Sequence, residues 1–346
     1  MQRSKKSIIL ITMIVVTLCV LLGVIIWANA AIAQRSLTSS ESEPDYRYHF
    51  SLVVGKLENP YWDMVYEGAK KEAVEEDIVI ELTGVELAEE YNLLDRLKMA
   101  ICSKVDGIFV VPDGTQTVND WIKTATEKYK IPVISIMEND SASGRAGYVG
   151  INSYEQGLAY GKLVAELYEN KGCSKVVLLR TNTRNDDDDS EQSGDLIYSS
   201  IIEYLNRNEL SDDVEISVKH INQSSVFNIK RDIQLLISRD DAPDVIICTD
   251  YLFTTSTCQV LVDRNKVGKV NVIGSYISED ILDYIQKGTL YCTVAVDPYE
   301  LGRICVSEMV ELKEAGRTND YMPLEMMLIK SDNVTEYKQK YLEVDD

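Results

Sequence analysis

Residues 50–75 read FSLVVGKLENPYWDMVYEGAKKEAVE, and this stretch decides the fold. Phe50–Val54 is a short β-rich apolar run, and from Tyr61 to Glu75 apolar residues return at helical spacing. In the connecting loop, Asn59 suits a helix N-cap and Pro60 the first helical position, where a missing N–H costs nothing. Capping does not account for two consecutive aromatics, Tyr61 and Trp62. At the carboxyl end of a strand such rings can stack on a flat apolar ligand face while Asn59 bonds its hydroxyls. A ring there can equally pack into the core, and the sequence leaves both roles open.

The same strand, loop and helix unit repeats along the chain. Further strands are expected at Ile78–Leu82, Gly107–Val111, Pro132–Ile136 and Tyr148–Ile151. A second set follows at Lys175–Leu179, Val214–Val218, Val245–Cys248, Val270–Ile273 and Leu290–Val296. Helical windows fall between them, among them Leu87–Cys102, Tyr154–Tyr168, Ile229–Arg239 and Tyr299–Lys313. In the first of these, Leu87, Tyr91, Leu94, Leu97 and Ile101 form an apolar face predicted to pack on a sheet. Alternation of this kind predicts an α/β chain with doubly wound parallel sheets, and ten strands suit two sheets in two lobes better than one. Ligands then bind outside the carboxyl ends of the strands. The loops there contain no G-x-G-x-x-G, no G-x-x-x-x-G-K-[ST] and no G-x-S-x-G, so the usual nucleotide cradles and the nucleophile elbow are excluded.

With 346 residues, 45% hydrophobic and 26% charged, the chain is long enough for two domains with cores of their own. A formal net charge of -21 repels phosphate backbones and argues against a nucleic-acid partner. The seven cysteines contain no C-x-x-C pair, and Cys102, Cys248 and Cys292 lie in apolar runs, where a thiol is expected to be buried. His49 and His220 stand in separate segments without metal-ligand spacing, and no cofactor or metal is expected. Asp186–Asp189, within the loop from Arg184 to Glu191, lack the alternating spacing and turn glycine of a calcium loop. They read as a solvated or partner-facing loop.

Arg3, Lys5 and Lys6 precede an uncharged run from Ile8 to Trp27, which at helical rise spans roughly the 30 Å hydrocarbon core. The positive flank stays in the cytoplasm and places the rest of the chain outside the membrane. Cleavage is the rival reading, since Ala28-Asn29-Ala30 and Ala31-Ile32-Ala33 offer small residues at signal-peptidase spacing. The length of the apolar run favours an uncleaved anchor over residues 1–33, followed by a polar linker over 34–47.

Taken in order, SLVVGKLENPYW, EGAKKEA, VDGIFVVPDG, KIPVISI, YVGINSYEQGLAYGKLV, PDVIICTD, VNVIGSY, GTLYCTVAVDPYELG and SDNVTEY give the chain its resemblance to a known family. From Tyr48 to Tyr337 it resembles the ribose/galactose-type periplasmic binding proteins, extracytoplasmic relatives of LacI-type regulators. The resemblance implies two Rossmann-like lobes joined by three crossovers, near 151–154, 296–297 and 323–325, that close on a solute like a hinge. It assigns 48–152 and 297–324 to the first lobe, and 153–296 and 325–346 to the second.

It also implies a ligand site, and departures within it. The Asp-Arg pair that sugar binders of the family carry after the strand Pro132–Ile136 is Met137 and Glu138 here. A family Asp matches Tyr276, a hinge-side Gln matches Val296, an Asn matches Val111, and an Arg matches about Ser193. Asn59, Tyr61, Trp62 and Asp250 are retained or similar, and Asp113, Glu138 and Tyr276 are additions. A site that has lost arginine and gained carboxylates suits a neutral or cationic ligand better than an anionic one. The resemblance implies a binding protein, not an enzyme, with a carbohydrate as ligand. Its membrane partner is either an ABC permease or a sensor histidine kinase.

Overall fold

The computed structural model describes residues 46–55, 59–85, 91–138, 143–181, 196–222 and 225–342. The expected anchor, nearly all of its linker and the aspartate loop lie outside the described residues. Among the described residues no helix is long and apolar enough to cross a membrane.

The first half alternates β1 (Tyr48–Val53), α1 (Pro60–Glu75), β2 (Ile78–Leu82), α2 (Leu93–Cys102), β3 (Gly107–Val110), α3 (Gln116–Glu127), β4 (Val133–Ile136) and β5 (Gly147–Gly150). The second runs α4 (Ser153–Lys171), β6 (Lys175–Thr181), α5 (Leu196–Arg207), β7 (Glu215–Ile221), α6 (Val226–Ile237), β8 (Val245–Cys248), α7 (Tyr251–Asp263), β9 (Asn271–Ser275), α8 (Glu279–Gln286) and β10 (Cys292–Ala295). The chain ends with α9 (Pro298–Ala315), β11 (Met322–Pro323), β12 (Met327–Lys330) and α10 (Val334–Leu342).

Two six-stranded sheets result, ordered β11-β5-β4-β3-β1-β2 and β12-β10-β9-β8-β6-β7. All pairings are parallel except β10 with β12, where Cys292 faces Lys330. Strands β3, β4, β5, β8 and β10 are buried at every position, as parallel strands covered by helices on both faces must be. Apart from the direction of the edge strands β11 and β12, the two sheets repeat one strand order, so β4 and β5 correspond in position to β9 and β10.

The chain passes from one half to the other after β5, between β10 and α9, and between β11 and β12. Helix α9 returns to the first half, where Leu301, Cys305, Val306 and Met309 join the core of Phe50, Leu52 and Phe109. It crosses α1 at close range, because a methyl group at Gly68 would overlap the Tyr299 backbone and one at Gly302 the Val65 carbonyl.

Three expectations need correction. Helix α2 begins at Leu93, because Asn92 accepts from the Asp95 amide at 2.9 Å and starts the helix there, whereas the expected start at Leu87 lies outside the described residues. Its buried stripe is accordingly Leu93, Leu97, Ala100 and Ile101, with Tyr91 and Leu94 half-buried. Cys102 ends that helix on its solvent side and is exposed, whereas Cys248 and Cys292 lie in the core as expected. Finally, the two sheets contain β11 and β12 beyond the ten strands expected, and a two-residue strand such as Met322–Pro323 has no periodicity to read.

Candidate functional site

Strand β1 runs into the amino end of α1 through Asn59, whose Oδ1 accepts from the Tyr61 amide at 3.1 Å. The capping reading of Asn59 is thus borne out, and it turns the first helical turn toward the junction of the two halves. Tyr61 is fully buried there, Trp62 nearly so, and their ring centroids are 5.3 Å apart in an edge-to-face pair. The Tyr61 hydroxyl points at the Val296 carbonyl, 3.5 Å away at the middle crossover.

Tyr276 approaches from the other half. Its ring lies 4.9 Å from that of Tyr61 and 6.3 Å from that of Trp62, so side chains at the carboxyl ends of both sheets meet directly. Met137 and Val111 pack against the same cluster as Tyr61, Trp62, Val296 and Tyr276. Five of the nine residues singled out in the sequence therefore belong to the core of the first half or pack against it. Met64, one turn into α1, packs against the cores of both halves.

Met137 and Tyr276 share a second property. Met137 follows β4 with φ 62°, and Tyr276 follows β9, the corresponding strand, with φ 72°. Both are in the left-handed region, which costs a bulky residue roughly 1 kcal/mol or more and persists only where surroundings enforce it. The surroundings match too. The Tyr148 hydroxyl on β5 donates to the Met137 carbonyl at 2.9 Å, and the Thr293 hydroxyl on β10 donates to the Tyr276 carbonyl at 2.8 Å. Tyr148 and Thr293 are each the second residue of their strand. Around Met137 the Glu138 amide closes a three-residue turn onto the Ile136 carbonyl at 2.6 Å. Before Tyr276, Ser275 is fixed by its amide to Thr254 at 3.1 Å and by its hydroxyl to the Cys248 carbonyl at 2.8 Å.

The carboxylates stand around this group. Asp250 caps α7, its Oδ1 accepting from the Leu252 amide at 2.8 Å and the Phe253 amide at 3.4 Å. Glu138 is exposed beside Met137. Burial pushes the Tyr276 phenol well above its ordinary pKa, and the negative charges of Asp250 and Glu138 push it further. Burial and the Glu138 charge likewise raise Tyr148. Both carboxylates therefore lie within electrostatic reach of the aromatic cluster. Asp113 is exposed, with Oδ1 turned into its own loop to accept from the Thr115 amide at 3.0 Å and hydroxyl at 2.7 Å.

Arg180 was not singled out in the sequence. It stands half-buried near the carboxyl end of β6, donating to the Thr249 hydroxyl at 3.4 Å beside Asp250. A basic residue closing the apolar run KVVLL was the available signal.

A family profile described as Periplasmic binding protein domain matches residues 50–317. No curated protein is significantly similar in sequence. Among solved structures, the chain is similar to GanP, a glucose-galactose binding protein from Geobacillus stearothermophilus. The two are 25% identical, with TM-score 0.69, over 83% of this chain and 98% of that one. It is similar in fold to an ABC transporter solute binding protein from Agrobacterium vitis bound with alpha-D-tagatopyranose, with 14% identity and TM-score 0.69 over 84% and 97% of the two chains. A chain of the XylFII-LytSN complex matches with 22% identity and TM-score 0.65, over 82% of this chain and 98% of that one.

Proposed function

The chain belongs to the periplasmic binding protein domain family, and on that premise we propose that it is an extracytoplasmic receptor whose two lobes close on a small, uncharged carbohydrate. It is a solute-binding protein and not an enzyme. The observation that carries the reading is the meeting of Tyr276 with Tyr61 and Trp62 between the two halves. Separating the lobes parts these rings, and a ligand between them is gripped from both sides only on closure, so binding shifts the population toward the closed form. Asn59, Met137, Glu138, Asp250 and Val296 complete the site, with Asp113 at its edge. Small-angle scattering and calorimetry with neutral monosaccharides test this: a sugar that binds is expected to stabilise the compact form. If none of them releases heat or alters the scattering, the receptor reading is lost.

The proposed partner is a membrane protein beside which residues 8–27 tether the lobes, raising their effective concentration there. An ABC permease is supported by the description of the Agrobacterium vitis protein. The alternative, a membrane sensor kinase, is favoured by a neighbour of the fold solved together with LytSN, and the anchor-like segment suits either partner. Affinity capture of the full chain from detergent-solubilised membranes separates the two: permease subunits support transport, and a histidine kinase supports sensing.

A further inference from the structure

Strand β7 (Glu215–Ile221) pairs with β6 along all seven of its residues and stands last in the order of the second sheet. The Glu215 amide donates to the Ser174 carbonyl at 2.8 Å, so by the alternation of a strand Glu215, Ser217, Lys219 and Ile221 turn their backbone groups toward β6. Ile216, Val218 and His220 turn theirs outward, where no strand follows among the described residues. An open edge of this kind is a template for another chain. The first sheet does not offer the same. At its outer edge the Tyr66 hydroxyl of α1 donates to the Ile80 carbonyl of β2 at 3.2 Å and takes up an acceptor that an added strand needs.

We propose that a second copy of this chain docks on β7, antiparallel, with Ser217 facing its own counterpart on a two-fold axis. Outward residues must face outward residues, so the axis falls on a residue and not between two. With the axis on Ser217, Glu215 stands opposite Lys219 twice, in the pairs whose side chains approach most closely. Ile216 then stands opposite Val218 twice, in the pairs that exchange backbone hydrogen bonds. The exposure suits this register: Glu215 and Lys219 are exposed, whereas Ile216 and Val218 are half-buried against the core that holds Ile197, Ile201 and Leu205 of α5. With the axis on Val218, Lys219 faces Ser217, Glu215 faces Ile221 and Ile216 faces His220, and no charge is matched. Axes nearer either end shorten the pairing. A lysine on a sheet edge ordinarily keeps strands apart, but opposite a glutamate it selects one partner and one register.

The helices beside the edge supply apolar surface. Helix α6 covers one face of β7, where Ile229, Ile233 and Ile237 cluster with Ile221, and it leaves Phe227 74% and Leu235 57% exposed. Helix α5 covers the other face and leaves Leu196 52% exposed. The two-fold axis sets α6 and its copy on one face of the joined sheet and α5 and its copy on the other, so docking withdraws surface of this kind from water.

The test is sedimentation equilibrium of the full chain in density-matched detergent, where a reversible monomer–dimer equilibrium is expected. Glu215→Lys and Lys219→Glu each set like charges opposite one another at two places and are expected to weaken the dimer at least about tenfold, and the double exchange is expected to restore it. On mild oxidation, Ser217→Cys in a chain that also carries Cys102→Ser is expected to link into a dimer faster than Val218→Cys in the same background. A chain that stays monomeric up to its solubility limit overturns the proposal. So does a dimer that neither single exchange weakens or that the double exchange fails to restore, in variants folded by circular dichroism, and so does faster linkage through position 218. None of these outcomes touches the receptor reading, which concerns the opposite ends of other strands.

Discussion

Lys340 and Asp297 meet at the middle crossover, with Nζ 2.6 Å from Oδ2. Lys340 lies on α10, which is tied to the second half by Lys338 and Asp283 at 2.6 Å, whereas Asp297 caps α9, which packs in the first. Tyr299 of α9 stacks on Tyr341 of α10 with centroids 6.1 Å apart, so the ion pair reinforces an aromatic contact between helices of different halves. Burial pulls the Asp297 carboxyl upward, but the Lys340 contact and the Glu300 amide outweigh it and hold its pKa below the usual value. Lys340 is held above its usual value: burial lowers it, and its bonds to Asp297 and Tyr341 more than compensate.

Lys340→Met keeps the side-chain stem and deletes the charge. Because Lys340 is half exposed, the loss of stability is expected to stay below about 1 kcal/mol, with a larger radius of gyration in scattering. The contribution of the pair is fully present between the unfolded-state pKa values, near 4 for Asp and 10 for Lys. It fades as pH falls through the depressed Asp297 value or rises through the elevated Lys340 value. Identical scattering and urea midpoints for the two proteins from pH 5 to 9 exclude a role for the pair.

Thr293→Val and Tyr148→Phe each remove the hydroxyl that holds a left-handed residue. Each is expected to cost about 1–3 kcal/mol in urea unfolding, since a half-buried carbonyl loses its donor. Any sugar that binds is also expected to bind more weakly. A variant that loses stability with unchanged affinity shows that the hydroxyl stabilises the fold without shaping the site.

Gly68→Ala and Gly302→Ala test the crossing of α1 over α9. In an ordinary exposed helix this exchange stabilises by up to about 1 kcal/mol. Here each added methyl meets facing backbone, and overpacking predicts a net loss of about 1–3 kcal/mol by denaturant titration. A gain in either variant places the helices further apart than described.

Cys102 is the exposed thiol among the described cysteines. Burial raises the thiols of Cys248, Cys258, Cys292 and Cys305, which removes both access and thiolate. An aromatic disulfide reagent on the native protein is expected to show a fast phase that disappears in Cys102→Ser, with those four reacting only on unfolding. Persistence of an equal fast phase in that variant assigns it to another cysteine.

The alternation of strands and helices was legible because each unit carries its own local signal: the run Phe50–Val54, the cap at Asn59, the proline after it. Local signals also mark where the reading failed. The apolar face expected through Tyr91 stops short of it, because Asn92 is a capping residue that starts the helix at Leu93, and Leu87 lies outside the described residues. The aromatic pair at Tyr61 and Trp62 was visible, but not that both rings would be buried against Tyr276, a residue more than two hundred positions away. Nor does sequence give the sign of φ at Met137 and Tyr276, since neither is glycine or asparagine. Their backbone is imposed by strands β5 and β10, and only tertiary structure brings those hydroxyls to the right carbonyls.

The order of segments along the chain also bears on synthesis. The core of the first half takes Leu301, Cys305, Val306 and Met309 from α9, and its sheet takes an edge from Met322–Pro323. On the ribosome, the half that emerges first therefore stays incomplete while the other is translated from α4 through β10, its apolar surface around Phe50 and Phe109 open to water and to chaperones. A nascent chain stalled just after β10 would hold a second half with most of its core in place and a first half still waiting for its last helix.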